Sequence, residues 1–268
     1  MQKRKLGIIC ECIQGEDALI TLERMKNAGF ECFFSGAIQE ERVRALKEKA
    51  DSLGLEFQFI HAPFAGINAM WQEGDEYQKI WNGMTEAIAS ASACGVPIVI
   101  CHVSSGWKAP EINELGLSRF DALVDFAEQR NVIVAFENLR KVGNLAYFVD
   151  RYEERDCVRF CYDCGHEHCY TKTVPWMDIF CHRTICTHIH DNFGRGWEKT
   201  GDPDIHLLPF DGNCDYRQMM RKLNEYDYAG SLMLEVNNHR EPYRAMDPDA
   251  FLQDCYQRVS KIAALGEE

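Results

Sequence analysis

The sequence reads as α/β, a single (β/α)8 barrel with one domain over residues 1–268, and three observations predict this. Helix-like and strand-like periods alternate almost from end to end. The strand-like runs number eight and recur about every 30 residues, the spacing of successive βα units. Those runs are continuously apolar, as expected of parallel strands covered on both faces. A chain of 268 residues also fits the roughly 250 that such a barrel needs.

The first strand is expected at 5–12, followed by a helix near 16–28 that stops at Gly29. The second strand, 31–36, precedes a charged amphipathic helix at 39–53 ended by Gly54. The third, 56–63, opens into a loop with Gly66, Trp71 and Gly74, then a helix at about 75–94 ended by Gly95. The fourth, 96–103, leads to a helix at about 113–129, and the fifth, 131–138, to one near 144–153. The sixth, 158–163, runs into Asp163-Cys164-Gly165-His166, where the glycine is expected to allow a sharp backbone turn. A short helix follows near 175–182. The seventh strand, 185–190, is followed by the longest irregular stretch, 191–214, and a helix at 215–226. The eighth, 230–236, precedes a last helix at about 249–264, introduced by Asp247-Pro248-Asp249 as a cap with proline in the first turn.

Lys plus Arg number 29 against 42 Asp plus Glu, a net charge of −13. Such a field repels polyanions and argues against nucleic acid or an anionic membrane as partner. No run approaches the roughly 20 apolar residues of a membrane span, and no signal-length apolar segment follows the basic N-terminus. A cytoplasmic location is therefore expected, with the 13 cysteines reduced and serving mostly as buried apolar filler. Cys161-x-x-Cys164 has a spacing that can bind zinc or do redox work. It has no second pair and straddles a strand end, so it too is read as filler.

Ionisable residues gather where strands end, the face on which barrels carry their active sites. They are His61 on the third strand, His102 on the fourth, Glu137 on the fifth, Asp163 with His166 on the sixth, His188 on the seventh and Glu235 on the eighth. The loop after the seventh adds Arg195, Asp204 and His206. An open doubly wound sheet would concentrate such residues at one switch point, not spread them over six strands. Strand alternation puts Glu137 on the face of Ala135 and Ile133, small or branched residues that suit a barrel interior, and Phe136 and Val134 on the other. Glu235 shares its face with Met233 and Ser231. Three carboxylates and an imidazole at one point would repel one another without a counter-charge, which a divalent cation supplies. An oxygen-rich set with one nitrogen favours manganese, magnesium or cobalt over a thiolate zinc site.

Glu137-Asn138, Asp163-Cys164-Gly165-His166, His188-Ile189-His190-Asp191 and the stretch from Asp204-Ile205-His206 to Asp211-Gly212 resemble the xylose-isomerase-like TIM barrels. That superfamily includes tagatose/psicose 3-epimerases, inosose-type dehydratases and endonuclease IV, and the likeness runs from about residue 5 to 264. It implies Glu137, Asp163, His188 and Glu235 as ligands of one divalent ion, Mn2+ favoured, with Mg2+, Co2+ or Zn2+ as alternatives. His188 is preferred to His190 because the family's His-x-x-acid pattern fits His188 to Asp191. The implied activity is a sugar or sugar-derivative isomerase or epimerase, with Glu137 and Glu235 removing and returning a C–H proton through a metal-stabilised enediolate. His166 and Arg195 would contact substrate oxygens. His61, His102, Asp204 and His206 stand where endonuclease IV carries further zinc ligands, and otherwise would bind sugar hydroxyls.

A keto-sugar dehydratase or lyase begins with the same deprotonation. A phosphodiesterase with several zinc ions, or a non-catalytic sugar-binding barrel, are the readings from other classes. Loop charge speaks against DNA: Glu73, Asp75 and Glu76 stand in the third loop without a basic residue, and Arg195 and Lys199 face Glu198, Asp202 and Asp204 in the seventh. Phe64, Trp71, Trp107, Trp197 and Phe210 are expected to crowd the mouth and wall a sugar pocket. The expected partner is a small sugar or polyol derivative, with a homo-oligomer compatible. Only Gly194-Arg195-Gly196 offers even a weak phosphate loop.

Overall fold

A computed structural model of the chain describes residues 3–196 and 201–266. In chain order the elements are β1 (Leu6–Ile9), α1 (Ala18–Ala28), β2 (Cys32–Ser35), α2 (Glu40–Leu53), β3 (Glu56–His61), α3 (Tyr77–Cys94), β4 (Ile98–Cys101), α4 (Glu114–Glu128), β5 (Ile133–Glu137), α5 (Val142–Arg151) and β6 (Val158–Asp163). There follow α6 (Cys164–Tyr170), α7 (Trp176–Phe180), β7 (Thr184–His188), α8 (Tyr216–Glu225), β8 (Leu232–Leu234) and α9 (Pro248–Ala264). The strands are parallel and neighbour one another in sequence order, with β8 beside β1. The fold is thus the expected (β/α)8 barrel.

The ring closes between β7 and β8 by a narrow seam. Ile189 N–H donates to Met233 O at 2.8 Å, and Glu235 N–H to Ile189 O at 3.0 Å. The Thr187 hydroxyl stitches the same seam from below, donating to Ser231 O at 3.0 Å and accepting from Met233 N–H at 3.3 Å.

Two cores follow from strand alternation. The interior is filled by Cys32, Phe34, Phe59, Ile98, Ile100, Ala135, Cys161, Cys186 and Met233, while Val134 and Phe136 pack outward under the helices. Ala135 and Met233 thus lie inside, as the faces of Glu137 and Glu235 require. All 13 cysteines are free, ten of them buried. Gly54 and Gly95 end α2 and α3 in left-handed conformation, where a β-carbon would be strained.

Three expectations need correction. The residues after β6 do not turn on a glycine: Cys164–Tyr170 form a helix, capped by Asp163 Oδ1 accepting from His166 N–H at 2.6 Å. Gly165 lies inside that helix, where a β-carbon would come within 2.1 Å of the His190 ring. Its role is room, not turning. Ile67–Trp71 form a 3-10 segment in what reads as loop. Trp71 leaves the mouth altogether: it is buried on Phe120 and Phe148, with its indole N–H donating to Val103 O at 2.8 Å.

Candidate metal centre

Each residue of the centre is delivered by the end of a strand. β5 ends on Glu137, and its neighbour Asn138 braces the next strand: the amide donates to Asp163 O at 2.8 Å and accepts from Asp163 N–H at 2.7 Å. β6 ends on Asp163 and passes into α6, which carries His166. β7 ends on His188, in register with Asp163. Glu235 follows β8 directly and is held by the seam.

Glu137, Asp163, His188 and Glu235 converge, with one donor atom of each within 4.8 Å of the others. His188 Nδ1 sits 2.9 Å from Glu137 Oε1, 3.4 Å from Glu235 Oε2 and 4.0 Å from Asp163 Oδ2. Beneath it Phe34 and Phe59 form an apolar floor, at ring-centroid distances of 4.9 and 5.6 Å. Asp163 Oδ2 is buried with no protein hydrogen-bond partner, although it faces this cluster. A buried carboxylate oxygen without a donor is costly, and a cation among these four side chains satisfies it. The set therefore fits a divalent ion.

Glu137 is the hub, with only 1% of its side chain exposed. Its Oε2 meets His102 Nε2 at 2.9 Å and His61 Nε2 at 3.3 Å, while Oε1 also lies 3.4 Å from His166 Nδ1. Burial would raise its pKa, but the His188 charge and hydrogen bonds from His102, His166 and His188 outweigh that and hold it well below the usual carboxylate range. Burial alone dominates at His102 and lowers its pKa. For His188 burial is outweighed by Glu235 and Glu137, which push its pKa up to about 10 in the protein by itself. The cluster's field thus selects for positive charge, as a proton or as a metal.

A second group adjoins the first. His166, His190, Asp204 and His206 also bring donors within 4.8 Å of one another. His166 Nε2 is 3.1 Å from Asp204 Oδ2, and His206 Nε2 is 3.3 Å from Asp204 Oδ1. His206 Nδ1 donates to Glu235 O at 2.7 Å, and its backbone is left-handed (φ 44°), a strained conformation held by its surroundings. Asp191 binds no cluster member. Its carboxylate accepts from Asn192, Phe210 and Cys214 N–H at 2.8–3.0 Å and so shapes the loop that carries Asp204 and His206.

Trp107 is 54% exposed and meets Tyr170 edge-on. The Arg195 guanidinium lies 5.9 Å from the Trp107 ring and donates to Tyr170 O. Phe64 stacks on His102 at 4.4 Å. Phe210 packs against Tyr216, under Lys261. Trp197, Glu198 and Lys199 lie outside the described residues. Sequence reasoning passed over Arg140 and Tyr170. Arg140 stacks over the Tyr170 ring at 3.6 Å, and Tyr170 stacks on His166 at 5.4 Å. No spacing rule marks them, because they meet from different elements.

Fold and site together define a parallel-strand barrel with a carboxylate–imidazole centre at its C-terminal mouth. The chain belongs to the xylose isomerase-like TIM barrel family, whose model matches residues 22–255. It is 32% identical over 213 residues to an uncharacterized protein of Sinorhizobium fredii, covering 74% of this chain and 62% of that one, so it spans less than two thirds of that relative. Among solved structures it is similar to D-psicose 3-epimerase of Clostridium cellulolyticum (TM-score 0.75, 15% identity, 98% and 99% of the two chains covered). It is also similar to 3-keto-D-glucoside 4-epimerase of E. coli (TM-score 0.71, 13% identity, 96% and 100% covered). At these identities the likeness establishes the fold. No helix among the described residues is long and apolar enough to cross a membrane.

Proposed function

We propose that the protein is a divalent-metal-dependent isomerase or epimerase of a sugar or sugar derivative, a single barrel domain acting in the cytoplasm. The observation that carries this is two carboxylates, from opposite parts of the chain, meeting at one imidazole: Glu137 and Glu235 at 2.9 and 3.4 Å from His188 Nδ1. Glu137, Asp163, His188 and Glu235 would hold the ion, with Mn2+ favoured by the oxygen-rich set. When bound, the ion supplies Lewis-acid polarisation of a substrate carbonyl.

The chain's own residues do the rest. Glu137, held ionised by the imidazoles around it, accepts a C–H proton beside the carbonyl. Glu235, with 18% of its side chain exposed, would deliver a proton to the other face. His166 and Arg195 orient hydroxyls, Trp107 offers a face to the sugar, and His61, His102, Asp204 and His206 supply further polar contacts. A keto-sugar dehydratase or lyase would use the same first step. The folds of the two epimerases named above support the reading.

A second reading, phosphodiester cleavage with several zinc ions, is favoured by one observation: Glu137 Oε2 faces both His61 and His102, so this carboxylate can bridge cations. The test separating them is to incubate the manganese-loaded protein with a panel of ketoses in D2O and read deuterium incorporation at carbon by NMR. Incorporation that falls at least about a hundredfold in Glu137→Gln and in Glu235→Gln, with the circular dichroism of the folded barrel retained, is expected. No incorporation into any ketose or 3-keto-glycoside, together with cleavage of an abasic-site duplex, would reverse the choice.

A further inference from the structure

An exposed carboxylate is seated in a buried cradle at the barrel mouth. Asp202, on the loop after β7, reaches Arg140, on the loop after β5, and Tyr170, at the end of α6. We propose that Arg140 and the Tyr170 hydroxyl form a carboxylate subsite of the substrate pocket, which Asp202 fills until substrate displaces it, and that the substrate is a sugar acid. The inference rests on the isomerase or epimerase reading above and names its substrate class.

Arg140 Nη2 donates to Asp202 Oδ1 and Oδ2, each at 2.9 Å, and to the Tyr170 hydroxyl, which itself donates to Asp202 Oδ1 at 2.9 Å. The receiving side is fixed. Tyr170 is fully buried, the Arg140 guanidinium stacks over its ring at 3.6 Å, and Trp107 meets it edge-on at 5.7 Å. The incoming side is loose: 61% of the Asp202 side chain is exposed, against 13% for Arg140. Asp202 also uses the guanidinium incompletely. Nε and Nη2 share an edge with which arginine can grip a carboxylate by two parallel bonds. Asp202 places both oxygens on Nη2, and Nε is left buried without a hydrogen-bond partner among the described residues. A carboxylate lying in the guanidinium plane satisfies both nitrogens and removes the cost of a buried unpaired donor.

The subsite lies close to the proposed chemistry. His166 stacks on Tyr170 at 5.4 Å and sets its Nδ1 3.4 Å from Glu137 Oε1, so one imidazole separates the phenol from the carboxylate that takes the proton. A sugar with its carbonyl at the metal centre and an acid at the far end of its chain covers that separation. A second guanidinium, Arg195, stands 5.9 Å from the Trp107 ring, where Arg140 stands 5.7 Å away. Positive charge thus gathers at one point of the mouth in a chain of net charge −13, which favours an anionic group there.

Calorimetric titration of the manganese-loaded protein with D-fructuronate, D-fructose and D-fructose 6-phosphate tests this, since the three differ only at the terminal carbon. The acid should bind at least about tenfold more tightly than fructose, and more tightly than the phosphate. Arg140→Gln should erase that preference, with folding checked by circular dichroism. Asp202→Asn should strengthen fructuronate binding about threefold or more, because the stand-in no longer competes. A contact that merely tethered the loop would instead leave binding unchanged or weaken it. Equal binding of acid and fructose, tighter binding of the phosphate, a preference that survives Arg140→Gln, or no gain in Asp202→Asn would each overturn the proposal. If Arg140→Gln does not fold, Asp202→Asn, at an exposed position, still decides. Tight fructuronate binding without deuterium incorporation into any sugar would sink the proposed reaction and leave the subsite standing. Incorporation into neutral ketoses with no preference for the acid would do the opposite.

Discussion

The two halves of the barrel interior obey opposite rules. The floor is apolar, with Phe34, Phe59, Ile100, Cys161, Cys186 and Met233 closing on one another, and the polar side chains near it paired, as where Ser231 Oγ donates to Gln58 Oε1 at 2.5 Å. The rim holds histidines and carboxylates, most of them buried as well, yet among the described residues it leaves seven of their side-chain atoms buried without a protein partner. Four of these (Asp163 Oδ2, His166 Nδ1, His190 Nε2 and Asp204 Oδ1) face the two convergence points. An unpaired buried polar atom costs about 1–3 kcal/mol, so four approach the whole stability of a domain, about 5–15 kcal/mol. The floor is folded by its own side chains. On the proposed reading, the rim is completed by the ion it binds.

That contrast can be broken deliberately. Removing metal should have the largest effect: a ligand present at a hundred to a thousand times its Kd stabilises by about 3–4 kcal/mol. Chelation should therefore lower the melting temperature by roughly 6–16 °C, read by calorimetry. The stripped protein should also acquire a pH dependence that the loaded one lacks. Burial notwithstanding, neighbouring carboxylates, Glu235 first, raise His188 to about 10. A histidine raised on folding contributes fully below its unfolded pKa, about 6.5, and loses that contribution as pH climbs through its folded value. The stripped protein should thus lose stability from pH 7 to 10, whereas metal-bound imidazoles, already unprotonated, should not follow. Parallel stability curves would refute the rim's dependence on positive charge.

A pair of glycines sharpens the comparison. At the rim, Gly165→Ala drives a methyl to within 2.1 Å of the His190 ring, which is wedged against His206 and cannot retreat. A loss of about 1–3 kcal/mol is expected, together with reduced metal content by elemental analysis. On the floor, Gly7→Ala meets the Met233 thioether at 2.6 Å and Cys32 Sγ at 2.7 Å, but the end of a methionine can swing away. A cost of about 1 kcal/mol or less, with metal content unchanged, is the smallest effect expected. Equal metal loss in both variants would mean that floor and rim are not separable.

Much of this was legible in the sequence. Eight apolar runs at regular spacing marked the strands, and period two alone placed Glu137 inward with Ala135. The strand-end carboxylates and histidines could be read because the barrel converts position on a strand into position in space. What escaped depended on tertiary contact. α6 is built from glycine, histidines and cysteines, poor helix formers, and is held by the Asp163 cap and by packing against β7. The space made by Gly165 is invisible without His190 opposite it. Trp71 reads as a mouth residue because loops at that end usually carry function, whereas its 3-10 segment turns it into the outer layer.

The seam between β7 and β8 joins these halves in a further way. Ile189 and Glu235 form its upper backbone link, and they are the immediate successor of His188 and a proposed ligand itself. Parting those two strands would draw His188 and Glu235 away from each other, so the barrel's narrowest fastening and the proposed metal centre should open together. An ion shared by His188 and Glu235 is then a clasp as well as a reagent: occupancy and closure of the ring are the same equilibrium, observed from two sides.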